Sequence, residues 1–263
     1  MRSSSDYALP RNAGEVRRLA IQAEMLAEAT ETLLGALDLR DARSCIDIGC
    51  GTGDAFEPIK RVAPRCTRIV GLDLDTSPAR GRLAEVELVS GDLFDTSLPL
   101  GGPFDLVYSR YLLHHMPDPV AALARMWELT APGGTLAVLD MDQRATTTYP
   151  EWEPYARLEG WIRALYVKIG LDNQIGHKLP HMFERAGIGK PSGTKVIGLI
   201  RAIAELDEFL TLLLEMIRDK LVVNGVASAD EIAVLEKELA SAGQLSAVYC
   251  YRPTAVGVWK RKA

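Results

Sequence analysis

Between residues 13 and 37, apolar positions recur at Val16, Leu19, Ala23, Leu26, Leu33 and Leu37. Steps of three, four and seven predict an amphipathic helix. The period then shortens. β-Rich runs occupy residues 44–48, 68–74, 86–90, 104–109 and 135–140, with helical stretches between several of them, notably 119–130. Strands alternating with helices predict a parallel sheet covered on both faces. Ligands of such sheets sit outside the carboxyl ends of the strands, where strand order reverses.

The pattern changes after Asp142. Residues 143–189 mix aromatic and polar side chains without a clear strand, and 155–170 reads as a helix. A sixth strand is expected at 194–200. Residues 202–223 form a strong helical pattern with Leu206, Phe209, Leu210, Leu213, Ile217 and Leu221 on one stripe. Leu212, Leu214, Val222 and Val223 widen it beyond one face, so this helix is expected to be sandwiched, under a cap or at a subunit contact compatible with a homodimer. A further helix is expected at 229–242. Residues 247–260 are β-rich and would pair antiparallel at a sheet edge. The expected fold is α/β: a doubly wound, mostly parallel seven-stranded sheet with an antiparallel edge strand, an N-terminal helix and a helical cap. Its expected divisions are a helical cover at 1–42, a ligand-binding core at 43–142, a cap insertion at 143–190, and the rest of the core at 191–263 with a helical lid at 202–242.

Composition narrows the classes. The chain has 263 residues, 48% hydrophobic and 25% charged, which suits a globular protein and excludes a disordered or collagenous one. Lys plus Arg is 30 against 35 Asp plus Glu, a formal charge of −5. That balance argues against a nucleic-acid protein, whose affinity comes from neutralising phosphates. Lys260, Arg261 and Lys262 read as a solvated tail. No run reaches the ~18–20 apolar residues that span a bilayer, and residues 1–10 lack an apolar signal core. Cys45, Cys50, Cys66 and Cys250 show no CxxC spacing, so reduced thiols and a cytoplasmic location are expected, without a zinc site.

The candidate chemistry lies in Asp47-Ile48-Gly49-Cys50-Gly51-Thr52-Gly53, directly after the first strand. Glycines there allow positive φ and let a ligand touch the backbone. The spacing is neither the dinucleotide G-x-G-x-x-G nor a phosphate-binding loop with Gly-Lys-Ser/Thr. Asp73 closes the second strand, twenty residues past Gly53, where a carboxylate can accept both hydroxyls of a ribose. Asp92 follows the third strand and is placed to accept from an exocyclic amine such as that of adenine. Together they imply an adenosine ligand. No basic residue occurs between Ser44 and Ile59. A phosphate-free, cationic sulfonium with an amino-acid tail therefore fits better than a pyrophosphate.

The segment from Cys45 to Gly53 resembles the first motif of the class I S-adenosylmethionine-dependent methyltransferases. Ile69-Val70-Gly71-Leu72-Asp73 resembles their second strand with its ribose acid, and Gly91-Asp92-Leu93 their adenine segment. Residues 104–109 with Leu112-Leu113-His114-His115-Met116-Pro117-Asp118-Pro119 resemble the fourth strand and its turn, and residues 131–136 the turn into the fifth. The resemblance covers Ser44 to Asp142 in order and implies a Rossmann-like fold with S-adenosyl-L-methionine as cofactor and S-adenosyl-L-homocysteine as product. It places Gly49 and Gly51 beside the methionine portion, Asp47 near its amino group, Asp73 on the ribose, Leu74 beside the adenine, and Asp92 and Leu93 around that ring. Ser109 would sit near the transferring methyl. Tyr7, Arg18 and Gln22 resemble the N-terminal cover of small-molecule members, with Arg18 a candidate partner for the methionine carboxylate.

Methyl transfer from a sulfonium is an in-line displacement with a neutral leaving group, so the protein mainly aligns reactants and excludes water. An oxygen or nitrogen acceptor must also lose a proton. His114 or His115 could take it, although either can simply pack in the turn, and Asp118-Pro119 reads as a helix start. His177 and His181 are separated by Pro180, so a metal pair on one helix face is not expected, and Asp140 with Asp142 resembles the divalent-metal subgroup only weakly. Tyr149 and Tyr155, with His177, are candidates for substrate contact, whereas Trp161 and Tyr166 read as helix core. Such a cap would suit a hydrophobic small molecule, a secondary metabolite methylated on oxygen or nitrogen. The same pocket would also serve a non-methylating enzyme that uses the sulfonium charge for cyclisation, rearrangement or decarboxylation. A non-catalytic interaction protein is the third alternative.

Overall fold

The computed structural model describes residues 13–263. Helices α1 (Ala13–Met25) and α2 (Ala27–Gly35) take the place of the one predicted helix, with Leu26 at the break. They lead to β1 (Ser44–Ile48), α3 (Phe56–Val62), β2 (Arg68–Asp73), β3 (Val86–Ser90), β4 (Phe104–Arg110), α4 (Pro119–Glu128) and β5 (Thr130–Asp142). Then come β6 (Thr147–Tyr149), α5 (Glu153–Ile169), α6 (Leu179–Arg185), β7 (Gly193–Ile197), β8 (Ile200–Ala202), α7 (Asp207–Val223), α8 (Ala229–Leu239), β9 (Tyr249–Tyr251) and β10 (Thr254–Arg261).

The main sheet has seven strands in the order β3-β2-β1-β4-β5-β10-β7. β1 pairs in parallel with both β2 and β4, so strand order reverses between β1 and β4. The antiparallel strand expected at this margin is β10, and β7 runs along its outer side. Alternation along each strand divides the apolar side chains between two faces. Ile46, Ile48, Val70, Val107 and Val138 pack with α4 and α6 on one side. Cys45, Ile69, Leu106, Tyr108 and Leu139 pack with α2 and α3 on the other. The predicted strand at 247–260 is in fact two strands. β9 leaves the main sheet and joins β6 and β8 in a small antiparallel sheet. Pro253, between β9 and β10, has no N–H to donate to a ladder, which suits the crossing point.

The third core belongs to the cap. Leu158 and Ile162 of α5 meet Leu210, Leu214 and Ile217 of α7 and Leu235 of α8, and Ile21 and Met25 of α1 close against them. The broad stripe of α7 is thus covered from several directions, by α1, α5 and α8. A capping box starts α8, with Ser228 and Glu231 each satisfying the other's backbone N–H. Residues 175–188 do not join this cap, unlike the expected insertion to 190. Ile175, Leu179, Phe183 and Ile188 instead pack against α4 and β5 on the main sheet. The apolar side of α6 finds its partner there. Among the described residues no helix is long and apolar enough to cross a membrane.

Leu214 is fully enclosed at the meeting point of the cap helices. Leu214→Ala should cost about 2–5 kcal/mol in urea denaturation, the range for a buried leucine whose site cannot collapse. A loss under about 0.5 kcal/mol would show that the cap is not packed as described.

Candidate active site

The turn after β1 is built on Gly49, Gly51 and Gly53, with φ of +74°, +51° and +75°. Side chains rarely adopt this region. A Cβ on Gly53 would fall 2.6 Å from the Phe56 ring, so that glycine also serves packing. A Cβ on Gly51 would meet nothing within 4 Å, so its face is open to a ligand. The amides of Gly49 and Cys50 donate to the Leu72 carbonyl at 2.8 and 3.1 Å. The Gly51 amide donates to Asp73 Oδ2 at 2.9 Å. The loop is therefore fastened to the end of β2 by backbone and side chain together.

Asp47 and Ser109 stand near the carboxyl ends of neighbouring strands. Ile48 is in register with Ser109 and Asp47 with Tyr108, so the two side chains alternate to opposite faces of the sheet, and both are buried. Asp47 Oδ1 and Ser109 Oγ have no hydrogen-bond partner among the described residues. Buried polar atoms are ordinarily satisfied. Burial pushes the Asp47 carboxyl up to about 7; Arg110 opposes the shift, and Asp73 and Asp54 add to it. Arg110 itself is held by Thr30 Oγ1 at 3.0 Å. Its proximity to Asp47 was not legible in a segment free of basic residues.

The next two strand ends complete an open groove. Leu74 is 41% exposed. Asp92 is exposed, and its Oδ1 accepts from the Phe94 amide at 2.9 Å. Leu93, expected to frame the ring, is buried against the sheet core, whereas the neighbouring Phe94 is 46% exposed. A shift of one residue in the turn exchanges the inward and outward side chains, and only the apolar character of both positions hinted at it.

His114 is the most constrained candidate. Its Nδ1 lies 2.7 Å from Asp140 Oδ1. Asp140 is fully buried and accepts in addition from the amides of Leu113 at 2.8 Å, His114 at 3.4 Å and Met141 at 2.8 Å. The sequence offered no link between these residues; only the pairing of β4 with β5 brings them together. Tyr111, the one non-glycine with positive φ among the described residues, sets its ring edge-on to His114 at 5.8 Å. His115 stacks obliquely on His114 at 3.9 Å. Tyr166, read from the sequence as helix core, lies 6.2 Å from the His114 ring and 6.4 Å from that of His115. Burial, then the nearby His114, Arg18 and Lys220 charges, hold the His115 imidazole well below its ordinary pKa.

Arg18 is buried and paired bidentately with Glu15, at 2.8 and 3.0 Å, and donates to Gln22 Oε1 at 3.1 Å. The site role expected for Arg18 and Gln22 thus meets a network that already engages both. Tyr7 lies outside the described residues. His177 Nδ1 is 3.3 Å from Asp142 Oδ2. Burial works to raise the Asp142 carboxyl, but hydrogen bonds from Arg144, with His177 nearby, hold it below the ordinary value. Among the described residues no group of three His, Cys, Asp or Glu is placed to hold a metal ion.

The two cap tyrosines separate. Tyr155 is buried and its hydroxyl accepts from Arg252 Nη1 at 3.2 Å, while Tyr149 is 83% exposed. Both border a cavity of about 520 Å³ between β6 and α5, which Thr146, Glu159 and Arg163 also line. Two tyrosines thus share this cavity with threonine hydroxyls and the charges of Glu159 and Arg163, while Trp161 and Tyr166 of α5 pack against the cap core.

A family model described as a methyltransferase domain matches residues 18–187. The chain is 35% identical over 159 residues to a trans-aconitate 2-methyltransferase of Methylobacterium radiotolerans, covering 59% of this chain and 57% of that one. It is 30% identical over 133 residues to a 2-phytyl-1,4-naphthoquinone methyltransferase of Thermosynechococcus vestitus, covering 48% and 58%. The chain thus spans little more than half the length of these curated relatives. A crystal structure of a methyltransferase-like protein from Bacillus halodurans superposes with a TM-score of 0.58 at 17% identity, over 89% of this chain and 99% of that one, which supports the fold.

Asp47 supplies a pH test. Its ordinary value is 3.8 and its folded value about 7. Between these the folded chain holds a proton that the unfolded chain has lost, so stability must fall as pH rises from about 4 to about 7. Asp47→Asn should flatten that fall and leave the ligand-free protein more stable than wild type at pH 8, by up to a few kcal/mol. Parallel stability curves for the two proteins in urea melts would contradict the assignment.

Proposed function

The chain belongs to the class I S-adenosylmethionine-dependent methyltransferases, and from that premise we propose that it methylates an oxygen or nitrogen of a small molecule, with His114 as the base. The observation that carries this reading is the 2.7 Å contact of His114 Nδ1 with buried Asp140 at the carboxyl end of β5.

The residues present fit the cofactor. The open face of Gly51 and the orphaned Asp47 Oδ1 and Ser109 Oγ suit an amino-acid tail with donors and acceptors to spare. Asp73 would take the ribose hydroxyls, and Leu74, Asp92 and Phe94 would surround the adenine. When bound, S-adenosylmethionine supplies an electrophilic methyl group. The chain's own residues then have three tasks. The loop and the acids align the nucleoside. The cap helices exclude water. His114 takes the acceptor's proton: with Nδ1 committed to Asp140, its Nε2 offers the lone pair, and the carboxylate gives the imidazolium a countercharge. His115 is the weaker choice, because its surroundings resist protonation.

The two named relatives are called after chemically unlike substrates, trans-aconitate and a phytyl naphthoquinone. Kinship therefore does not choose the acceptor. It does favour a small molecule over a macromolecule, in keeping with the net negative charge.

Labelled S-adenosylmethionine should be incubated with phenolic, carboxylic and amine metabolites and the products read by mass spectrometry. The proposal expects a methylated product and an equal amount of S-adenosylhomocysteine. His114→Gln should lower kcat by about 10²–10⁴-fold while S-adenosylhomocysteine affinity is retained. Asp140→Asn should lower kcat and alter the acid limb of the pH profile. Turnover without S-adenosylhomocysteine would point to a cyclisation or rearrangement instead, and an unchanged kcat in His114→Gln would remove His114 from the mechanism.

A further inference from the structure

The cavity between β6 and α5 is chemically specific. Glu159 and Arg163 lie four residues apart on α5, hence on one helix face. Both line the cavity, with Thr146, Tyr149 and Tyr155 around them and Glu151 at the exposed rim. Glu159 is buried. It accepts from Gln143 Nε2 and hydrogen-bonds with the Tyr155 hydroxyl. A carboxylate has about four acceptor positions, so further ones are left. Arg163, by contrast, makes no hydrogen bond and no close ion pair with another described residue, although its charge acts on Glu159 across the cavity. A guanidinium carries five donors in a planar fork suited to a carboxylate. Thr146 Oγ1, on the same wall, is buried and has no partner. Thus a guanidinium with all its hydrogen-bond donors unused, an unmatched hydroxyl and an incompletely used carboxylate line one space.

The cavity is also tied to the proposed reaction centre. Gln143, which reaches Glu159, follows three residues after Asp140, which holds His114. Three residues of extended chain span at most about 10 Å. Gln143 is itself braced by Asn173 Nδ2, so Glu159 is placed by a relay that begins at the end of β5.

We propose that this cavity binds the dipolar end of a small amino acid, with the carboxylate on Arg163 and the ammonium on Glu159, and that the acceptor of the methyl group is of this class. This inference rests on the methyltransferase reading above and replaces the hydrophobic acceptor expected from the sequence. Thr146 Oγ1 supplies a further hydrogen bond to the carboxylate, and Glu151 adds negative charge where the ammonium enters. A neutral or purely apolar ligand would leave Arg163 and Glu159 without new partners and would lose that contribution.

Calorimetric titration of the full chain, loaded with S-adenosylhomocysteine, tests this with three probes of one shape: phenylalanine, phenethylamine and 3-phenylpropionate. Phenylalanine should bind at least about tenfold more tightly than either truncated probe, since each charge-assisted hydrogen bond contributes that much or more. Arg163→Gln should weaken phenylalanine about tenfold without weakening phenethylamine, and should change the melting temperature little, because Arg163 makes no hydrogen bond with another described residue. Equal affinity for all three probes, no binding of any at millimolar concentration, or full affinity of Arg163→Gln for phenylalanine would overturn the proposal. The first step separates the two readings: if S-adenosylhomocysteine does not bind, the cofactor assignment fails, and the same probe series on the free protein still judges the cavity.

Discussion

The hydrogen bond from the Gly51 amide to Asp73 Oδ2 is the constraint on which the site depends. It joins a turn that only glycines adopt easily to the acid at the end of the neighbouring strand. Because β1 and β2 are parallel and in register, the turn and the acid emerge at the same sheet end. The reversal of strand order between β1 and β4 opens the crevice beside them. The Gly51 backbone and the Asp73 carboxylate are thereby held together at this end of the sheet.

The second half of the chain builds a helical body beside the sheet. Apolar packing among α1, α5, α7 and α8 forms a body separate from the sheet's two cores. Tyr166 of that body reaches the imidazoles after β4. This helical body thus touches the turn after β4. Its inner polar groups, Arg252, Tyr155, Glu159 and Gln143, form a chain of hydrogen bonds and electrostatic contacts through otherwise apolar surroundings. Buried networks of this kind fix geometry more than they add stability. That suits a pocket whose acceptor must be held in line with a methyl group.

The sheet was legible because its strands are short apolar runs set off by glycine, proline and aspartate. β3 lies at 86–90, as its pattern predicted, and the first glycine turn and Asp73 are local features of consecutive residues. What the sequence hid depends on contacts between distant residues. Asp140 meets His114 only because β5 lies beside β4. Leu93 and Phe94 look interchangeable in sequence, yet the turn buries one and exposes the other. Aromatic composition drew attention to Tyr149 and Tyr155, but not to the threonines, Glu159 and Arg163 that line the same cavity. The final β-rich stretch looked continuous, and two different sheets divide it.

The central claim is that the glycine turn and Asp73 together hold the adenosine part of the cofactor. Calorimetric titration of wild type and Asp73→Ala with S-adenosylhomocysteine tests it most directly. The wild type should bind one ligand per chain and the variant at least about tenfold more weakly, with the fold intact by circular dichroism. Equal affinities in the two proteins, or binding of NADH in place of S-adenosylhomocysteine, would contradict it.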